Sequence, residues 1–177
     1  MKKDLLTHIT FTISLLLVTS IVRSWFSLEF IPFWLGGLFG ALLPDVDHLV
    51  YIYLLKPKEE TSQKAVTLIQ ERQVAKTWNY IMDTKGDRKD LIFHTAFFQL
   101  LFAVFAFLIV TSSGSLFGRG LVLAFYLHLL IDQVVDLVEK GGIQNWFINF
   151  PITLDNEKQR WYVAGNIILL SVLSLVF

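Results

Sequence analysis

The residues able to do chemistry are His8, His48, His94 and His128, together with Asp45, Asp47, Asp132 and Asp136. All of them fall inside or at the edge of long apolar runs, not in the polar parts of the chain, where a histidine or aspartate would cost least. Asp45, Asp47 and His48 form one cluster directly after Pro44. His128, Asp132 and Asp136 recur at every fourth residue and therefore line one face of a helix. Imidazole nitrogens and carboxylate oxygens are the ligand set of zinc and manganese. The chain has no cysteine, so disulfides and thiolate ligands are excluded and any ion must be held by nitrogen and oxygen.

Seven of these groups, His8, Asp45, Asp47, His48, His94, His128 and Asp132, are candidate metal ligands. Taken singly, each has a structural reading, as a histidine bonded to a neighbouring helix or, for Asp45 after Pro44, as a helix cap. Each ionisable group inside a membrane span nevertheless costs about 2.5–3.5 kcal/mol and marks a functional site by default. A divalent cation would compensate the buried negative charge. Four imidazoles and three or four carboxylates exceed the needs of one tetrahedral zinc. The surplus points to two ions, or to one ion with a general base and carboxylates that orient the imidazoles. Zinc is the first choice and manganese the second. Asp45 and Asp132 are the candidate catalytic bases, whereas Asp136 either adds a carboxylate or faces the cytoplasm.

The elements that must position these groups are membrane helices. With 54% hydrophobic residues, 16 Phe and only 17% charged residues in 177, the chain is too apolar for a soluble domain of its length. About 17 to 25 apolar residues cross a bilayer as a helix, and five segments approach that length: 5–22, 30–55, 91–111, 119–137 and 161–177. The first follows Lys2 and Lys3 like a signal peptide, but no small-residue cleavage site follows it, and it reads as an uncleaved anchor. Pro44 and its polar neighbours predict that the second span is broken. Gly36 and Gly40 would let that span pack closely on a neighbour. The fold class is all-α: a polytopic transmembrane helical bundle forming a single domain over 1–177, without internal repeats.

The 56–90 loop is the only long polar stretch, and its apolar residues are spaced to allow one helix lying at the interface over 60–82. With the N-terminus inside, only Arg23 and Arg119 of the 15 Lys and Arg residues lie outside, which satisfies the positive-inside rule with five crossings. All four histidines then lie in the cytoplasmic half. The formal net charge of zero predicts no nucleic-acid partner; the partners expected are membrane lipid and a lipid or phosphoester substrate.

In order along the chain, Thr7-His8, Leu43-Pro44-Asp45-Val46-Asp47-His48, Phe93-His94-Thr95 and His128-Leu129-Leu130-Ile131-Asp132 resemble the ordered motifs of the YdjM-like family of predicted membrane-bound metal-dependent hydrolases. The resemblance runs from residue 6 to about residue 151. It implies a bacterial or archaeal inner-membrane protein with a hydrolase-like metal centre, and it supplies no substrate. Two departures stand out. Family members carry a His-Arg pair shortly before the third-span histidine, where this chain has Arg88, Lys89 and Asp90, and they carry Thr where this chain has Val135 and Asp136. The expected activity is hydrolysis of a phosphoester or related bond approached from the cytoplasmic side, with the ion activating water and Asp45 or Asp132 as base. The alternatives are a cation or proton translocator, and a membrane protein in which the metal is structural. Against a translocator, the sequence shows no inverted repeat and its outer half-spans read as apolar.

Overall fold

The structure, a computed structural model, describes residues 2–88, 90–148 and 150–176. These form helices and, among the described residues, no strand. The long elements are α1 (Lys2–Arg23), α2 (Ile31–Leu42), α6 (Ala96–Ser112), α7 (Leu116–Glu139) and α8 (Asn156–Leu175). Between α2 and α6 lie α3 (Val46–Val50), α4 (Glu60–Gln70) and α5 (Val74–Asp83). Three continuous helical stretches, Leu5–Arg23, Leu28–Leu55 and Leu116–Glu139, are long and apolar enough to cross a membrane, and Ala96–Ser112 is a shorter apolar helix. The fifth expected span, 161–177, falls in α8, which is not among the helices long and apolar enough to cross; its first turns, Asn156 to Arg160, are polar.

The second span is broken where Pro44 predicts. Helix α2 stops at Leu42, a 3-10 turn covers Leu43–Asp45, α3 follows, and a π-helical turn over Tyr51–Leu55 ends the stretch. Proline supplies no backbone N–H and crowds the preceding turn. The change of winding there sets the direction of Asp45, Asp47 and His48.

Helix α7 is the hub, and α2 lies directly on it. A β-carbon on Gly36 would meet the Phe117 carbonyl oxygen at 2.0 Å, and one on Gly40 would meet that of Leu121 at 2.2 Å. From the other side, a β-carbon on Gly120 would lie 2.0 Å from the Phe33 carbonyl oxygen. Backbone therefore touches backbone, an approach only glycine allows and the usual basis of small-residue packing between membrane helices. Leu16, Phe33, Val122, Leu123, Tyr126, Leu130 and Leu170 fill the space between α1, α2, α7 and α8. Gln99 of α6 and Gln133 of α7 exchange amide hydrogen bonds of 3.3 and 2.7 Å, and Tyr162 of α8 donates to Gln99 at 2.6 Å. Tyr126 donates to Asn166. Helices α6, α7 and α8 are thus joined by a satisfied polar network in surroundings where an unpaired amide is costly.

Two expectations need correction. The single interfacial helix over 60–82 is two helices, because Arg72 adopts a left-handed conformation, φ 57°, and Gln73 N–H bonds back to Leu68 O at 3.0 Å, closing α4 with a Schellman-type turn. The hairpin also does more than lie on lipid: Ala65, Ile81 and Met82 bury against Ile52 beside Leu49, so it caps one end of the second span. The third span begins at Ala96 and not at residue 91. Thr95 is its N-cap, accepting from Phe98 N–H at 3.2 Å, so His94 stands on an irregular lead-in ahead of the helix.

Candidate metal centre

Asp132, two-thirds of the way along α7, is the point on which the imidazoles converge. His94 Nε2 and His128 Nε2 each stand 3.2 Å from Asp132 Oδ2, and His8 Nε2 stands 3.5 Å from Oδ1. Asp45 joins from the break in the second span, with Oδ1 3.7 Å from His128 Nε2. The rings of His8 and His128 lie 4.0 Å apart. Four separate parts of the chain meet here: α1, the Pro44 break, the lead-in to α6, and α7.

Two of the imidazoles are held by their other nitrogen. His128 Nδ1 lies 2.7 Å from Ala41 O; a carbonyl only accepts, so Nδ1 carries the proton and Nε2 presents its lone pair to the centre. The glycine contact between α2 and α7 makes this bond possible by bringing the Ala41 carbonyl to α7. His94 Nδ1 is 3.2 Å from Asp47 Oδ2, and by the same reasoning its Nε2 faces Asp132. A carboxylate or carbonyl behind an imidazole is the usual support of a metal-binding histidine.

Asp47 has a role that ligand counting does not reveal. Its side chain is fully buried. Oδ1 accepts from Ile92 N–H at 3.1 Å, and Oδ2 accepts from Phe93 N–H at 2.6 Å and His94 N–H at 3.4 Å. Asp47 therefore fixes the backbone that carries His94, and its oxygens are turned toward those donors. His48 is close without converging on Asp132: its ring stacks 5.7 Å from that of His94, and its buried Nδ1 makes no hydrogen bond. Asp136 stands outside the centre, accepting from Trp146 Nε1 at 2.9 Å and Asn145 Nδ2 at 3.0 Å and pairing with Lys140 at 2.7 Å. It holds the turn that sets Trp146 against His94, with rings 5.6 Å apart.

The donor set suits a divalent cation. Four ligands at about 2.0–2.1 Å around a tetrahedral ion stand about 3.3 Å from one another; the imidazole nitrogens stand 3.2 to 3.5 Å from Asp132, and Asp45 3.7 Å from His128. His8, His128 and Asp132 offer ligand atoms that all lie within 4.8 Å of one another. His128 Nε2 is buried and makes no hydrogen bond of proper geometry, although Asp132 is near. Asp45 and Asp132 bring two like charges into a largely buried place, which a dication would balance. Beside the cluster, Leu5, His8, Ile9, Ala41, Asp45, Trp78 and Met82 line a cleft of about 10 Å³, close to the room needed for one water or small ion.

The seven expected ligands thus divide: His8, His94, His128, Asp45 and Asp132 come together, Asp47 supports from behind, and His48 stands alongside. Among the histidines, His128 faces both Asp132 and Asp45 and lies against the ring of His8. Two contributors were not foreseen. Lys85 of the 56–90 loop brings Nζ to 3.8 Å from Asp132 Oδ1. Arg88, also in that loop, is 4% exposed and donates to Ile81 O at 2.7 Å and Thr84 Oγ1 at 2.8 Å. Burial pulls the Arg88 pKa below its ordinary value, against the opposing pull of Tyr51, Tyr80, Asp87 and Glu59. A basic residue in a polar loop carries no mark of such placement. Lys89, part of the departure from the His-Arg pair, lies outside the described residues.

On the far side of the centre, α1 turns buried Thr12, Thr19 and Ser20 inward, so that half is less uniformly apolar than the sequence suggests. Fully buried Leu16 stands between Thr12 and Thr19 and lies against Gly37, which interrupts the hydroxyls. Compared with family models, curated proteins and solved structures, the chain matches none.

Proposed function

We propose that this chain is a membrane-bound metal-dependent hydrolase acting on a phosphoester or lipid-related substrate from the cytoplasmic side, with its N-terminus inside. The observation that carries the proposal is the convergence of His8, His94 and His128 on Asp132, with His94 and His128 each supported through Nδ1. The resemblance of the ordered motifs to the YdjM-like family supports the same reading, as does the positive-inside distribution of Lys and Arg for the orientation.

In this reading His8, His94, His128 and Asp132 hold the ion, most naturally zinc. The ion supplies Lewis acidity, polarising a substrate oxygen and making water nucleophilic near neutral pH. Asp45 is the base: its side chain is 19% exposed and meets the cluster through Oδ1 at His128, and it lines the cleft, where a carboxylate oxygen can take a proton from water. Asp132 is better suited to binding than to base chemistry, because both of its oxygens face imidazoles. Asp47 and Ala41 keep the imidazole protons on the outer nitrogens, and His48 keeps solvent from one side of His94. The apolar packing around Leu16 and Phe33 favours a site open at one end over a path through the molecule.

The small cleft favours a second reading, in which the ion is structural. One experiment separates the two. Protein purified in detergent is loaded with zinc, its metal content measured, and its hydrolysis of a chromogenic phosphodiester followed. Bound zinc with hydrolysis that Asp45→Asn removes supports the enzyme; bound zinc with no hydrolysis of phosphodiester or phospholipid leaves the structural ion; wild-type protein that retains no divalent metal after equilibration ends both.

A further inference from the structure

The cleft beside the centre is polar within and apolar at its rim. Buried His8 and half-buried Asp45 form the polar part, whereas Leu5 and Ile9 of α1, Leu42 at the end of α2, and Trp78 and Met82 of α5 form the rest of the wall with Ala41. The sequence spacing accounts for the arrangement. Leu5, His8 and Ile9 stand three and four residues apart and share one face of α1, and Trp78 and Met82 likewise share one face of α5. Leu5 and Leu42 are exposed, as are Leu6, Leu43 and Val46 beside them. They belong to helical stretches long and apolar enough to cross a membrane, so their exposed side chains meet acyl chains in a bilayer. None of the residues lining the cleft is basic, and Lys85, which meets Asp132, is not among them. A free phosphate is drawn from water by cations; along this wall it would pass hydrocarbon alone.

We propose that this cleft is a lateral entry from the cytoplasmic leaflet, through which a phospholipid brings its phosphodiester to the centre while its acyl chain stays against Leu5 and Leu42, and that Trp78 is the gate. The inference rests on the hydrolase reading above and chooses, within it, a membrane lipid over a water-soluble phosphoester. An amphiphile matches the order of surfaces, apolar first and ligating groups behind. At about 10 Å³ the cleft has room for a water or a small ion, so a wall must move to admit a lipid. Helix α5 itself is anchored, because Ile81 and Met82 bury against Ile52. Trp78 is the movable part. Its side chain is exposed, and among the described residues no hydrogen bond or ring contact holds the indole, in contrast to Trp146, which donates to Asp136. An exposed side chain of this kind changes rotamer quickly. Tryptophan also suits the boundary between headgroups and acyl chains, with an apolar body and a polar N–H.

The gate and the rim set a preference for lipid over its headgroup. Wild type should bind a phospholipid at least about tenfold more tightly than the same phosphodiester without acyl chains, the scale set by burying one apolar side chain's worth of hydrocarbon. Trp78→Ala opens the cleft to the water-soluble headgroup and loses contact with the chain, so the ratio of the two affinities should fall at least about tenfold. Trp78→Phe should keep the ratio within about threefold of wild type. Leu42→Gln, at an exposed position that the core does not need, should lower the ratio by about three- to tenfold.

The test is calorimetry on the zinc-loaded full chain in detergent, with dihexanoylphosphatidylcholine below its micelle-forming concentration in one arm and glycerophosphocholine, the same phosphodiester without chains, in the other. Zinc content, helicity and hydrolysis are read on the same preparations. A lipid preference in wild type that falls in Trp78→Ala and Leu42→Gln and survives in Trp78→Phe supports the entry. Equal affinity for the two probes in wild type, or a preference that neither variant lowers, overturns the entry; zinc binding and Asp45-dependent hydrolysis that persist then spare the hydrolase reading. A Trp78-dependent lipid preference in a zinc-loaded chain that hydrolyses neither phosphodiester nor phospholipid upholds the lipid entry and overturns the hydrolase reading. Wild type that holds no zinc overturns both.

Discussion

Replacing Asp47 with Ala distinguishes a supporting carboxylate from a ligand. In the structure the Asp47 oxygens accept from three successive backbone N–H groups and from His94 Nδ1, and none of the short contacts about Asp132 involves them. Removal leaves the 92–94 backbone donors without their acceptor in a buried place, at about 1–3 kcal/mol for each donor that finds no substitute. Losing the carboxylate behind His94 also frees its ring and tautomer, for which the customary loss of metal affinity is about 10- to 100-fold, or about 1.4–2.7 kcal/mol. The expected outcome is that Asp47→Ala still binds zinc at full stoichiometry, but with affinity lower by that factor. Asp132→Ala should fail to reach stoichiometry at any accessible zinc concentration. Chelator competition and metal analysis on the same preparations give affinity and stoichiometry separately, with circular dichroism to confirm that each variant remains helical. If Asp47→Ala loses zinc as completely as Asp132→Ala while staying folded, Asp47 is a ligand; if its affinity is unchanged, the bonds to the His94 segment do not position the imidazole. Either result refutes the reasoning.

Gly120→Ala should be strongly destabilising, since its β-carbon would stand 2.0 Å from the Phe33 carbonyl oxygen; α2 and α7 must separate, at a cost of about 1–3 kcal/mol or more. The melting temperature in detergent should fall, and zinc affinity should fall with it because the Ala41 carbonyl is drawn away from His128. An unchanged melting temperature and affinity would show that the helices do not touch there. Topology can be read by single-cysteine labelling, because the chain has no native cysteine. Cysteines replacing Lys58 and Gly114, both exposed, should react from opposite sides of the membrane, the former from the cytoplasm. Labelling of both from one side would exclude the proposed crossing pattern and orientation.

How much of this was legible in the sequence depends on which physical rule set each feature. Three of the spans, the break at Pro44 and the close packing at Gly36 and Gly40 follow from apolar length, a missing N–H and a missing β-carbon, each a property of the residue itself. The grouping of His8, His94, His128, Asp45 and Asp132 was legible too, because ionisable residues are rare in apolar spans and helical spacing places them at one depth. Less legible was which of these residues lies at the middle. The place of His128 is settled by a carbonyl, Ala41 O, which no side-chain pattern displays. Asp47 looked like a ligand because its side chain matches the others; only the backbone donors of 92–94 reveal its different task. The single interfacial helix was misread because Arg72 carries no glycine-like signal for the left-handed conformation that divides it. Lys85 was hidden for the most general reason: a basic residue in a polar loop is ordinarily solvated. What places it is the buried guanidinium of Arg88, three residues on, whose function is visible only when the turn it closes lies over Asp132.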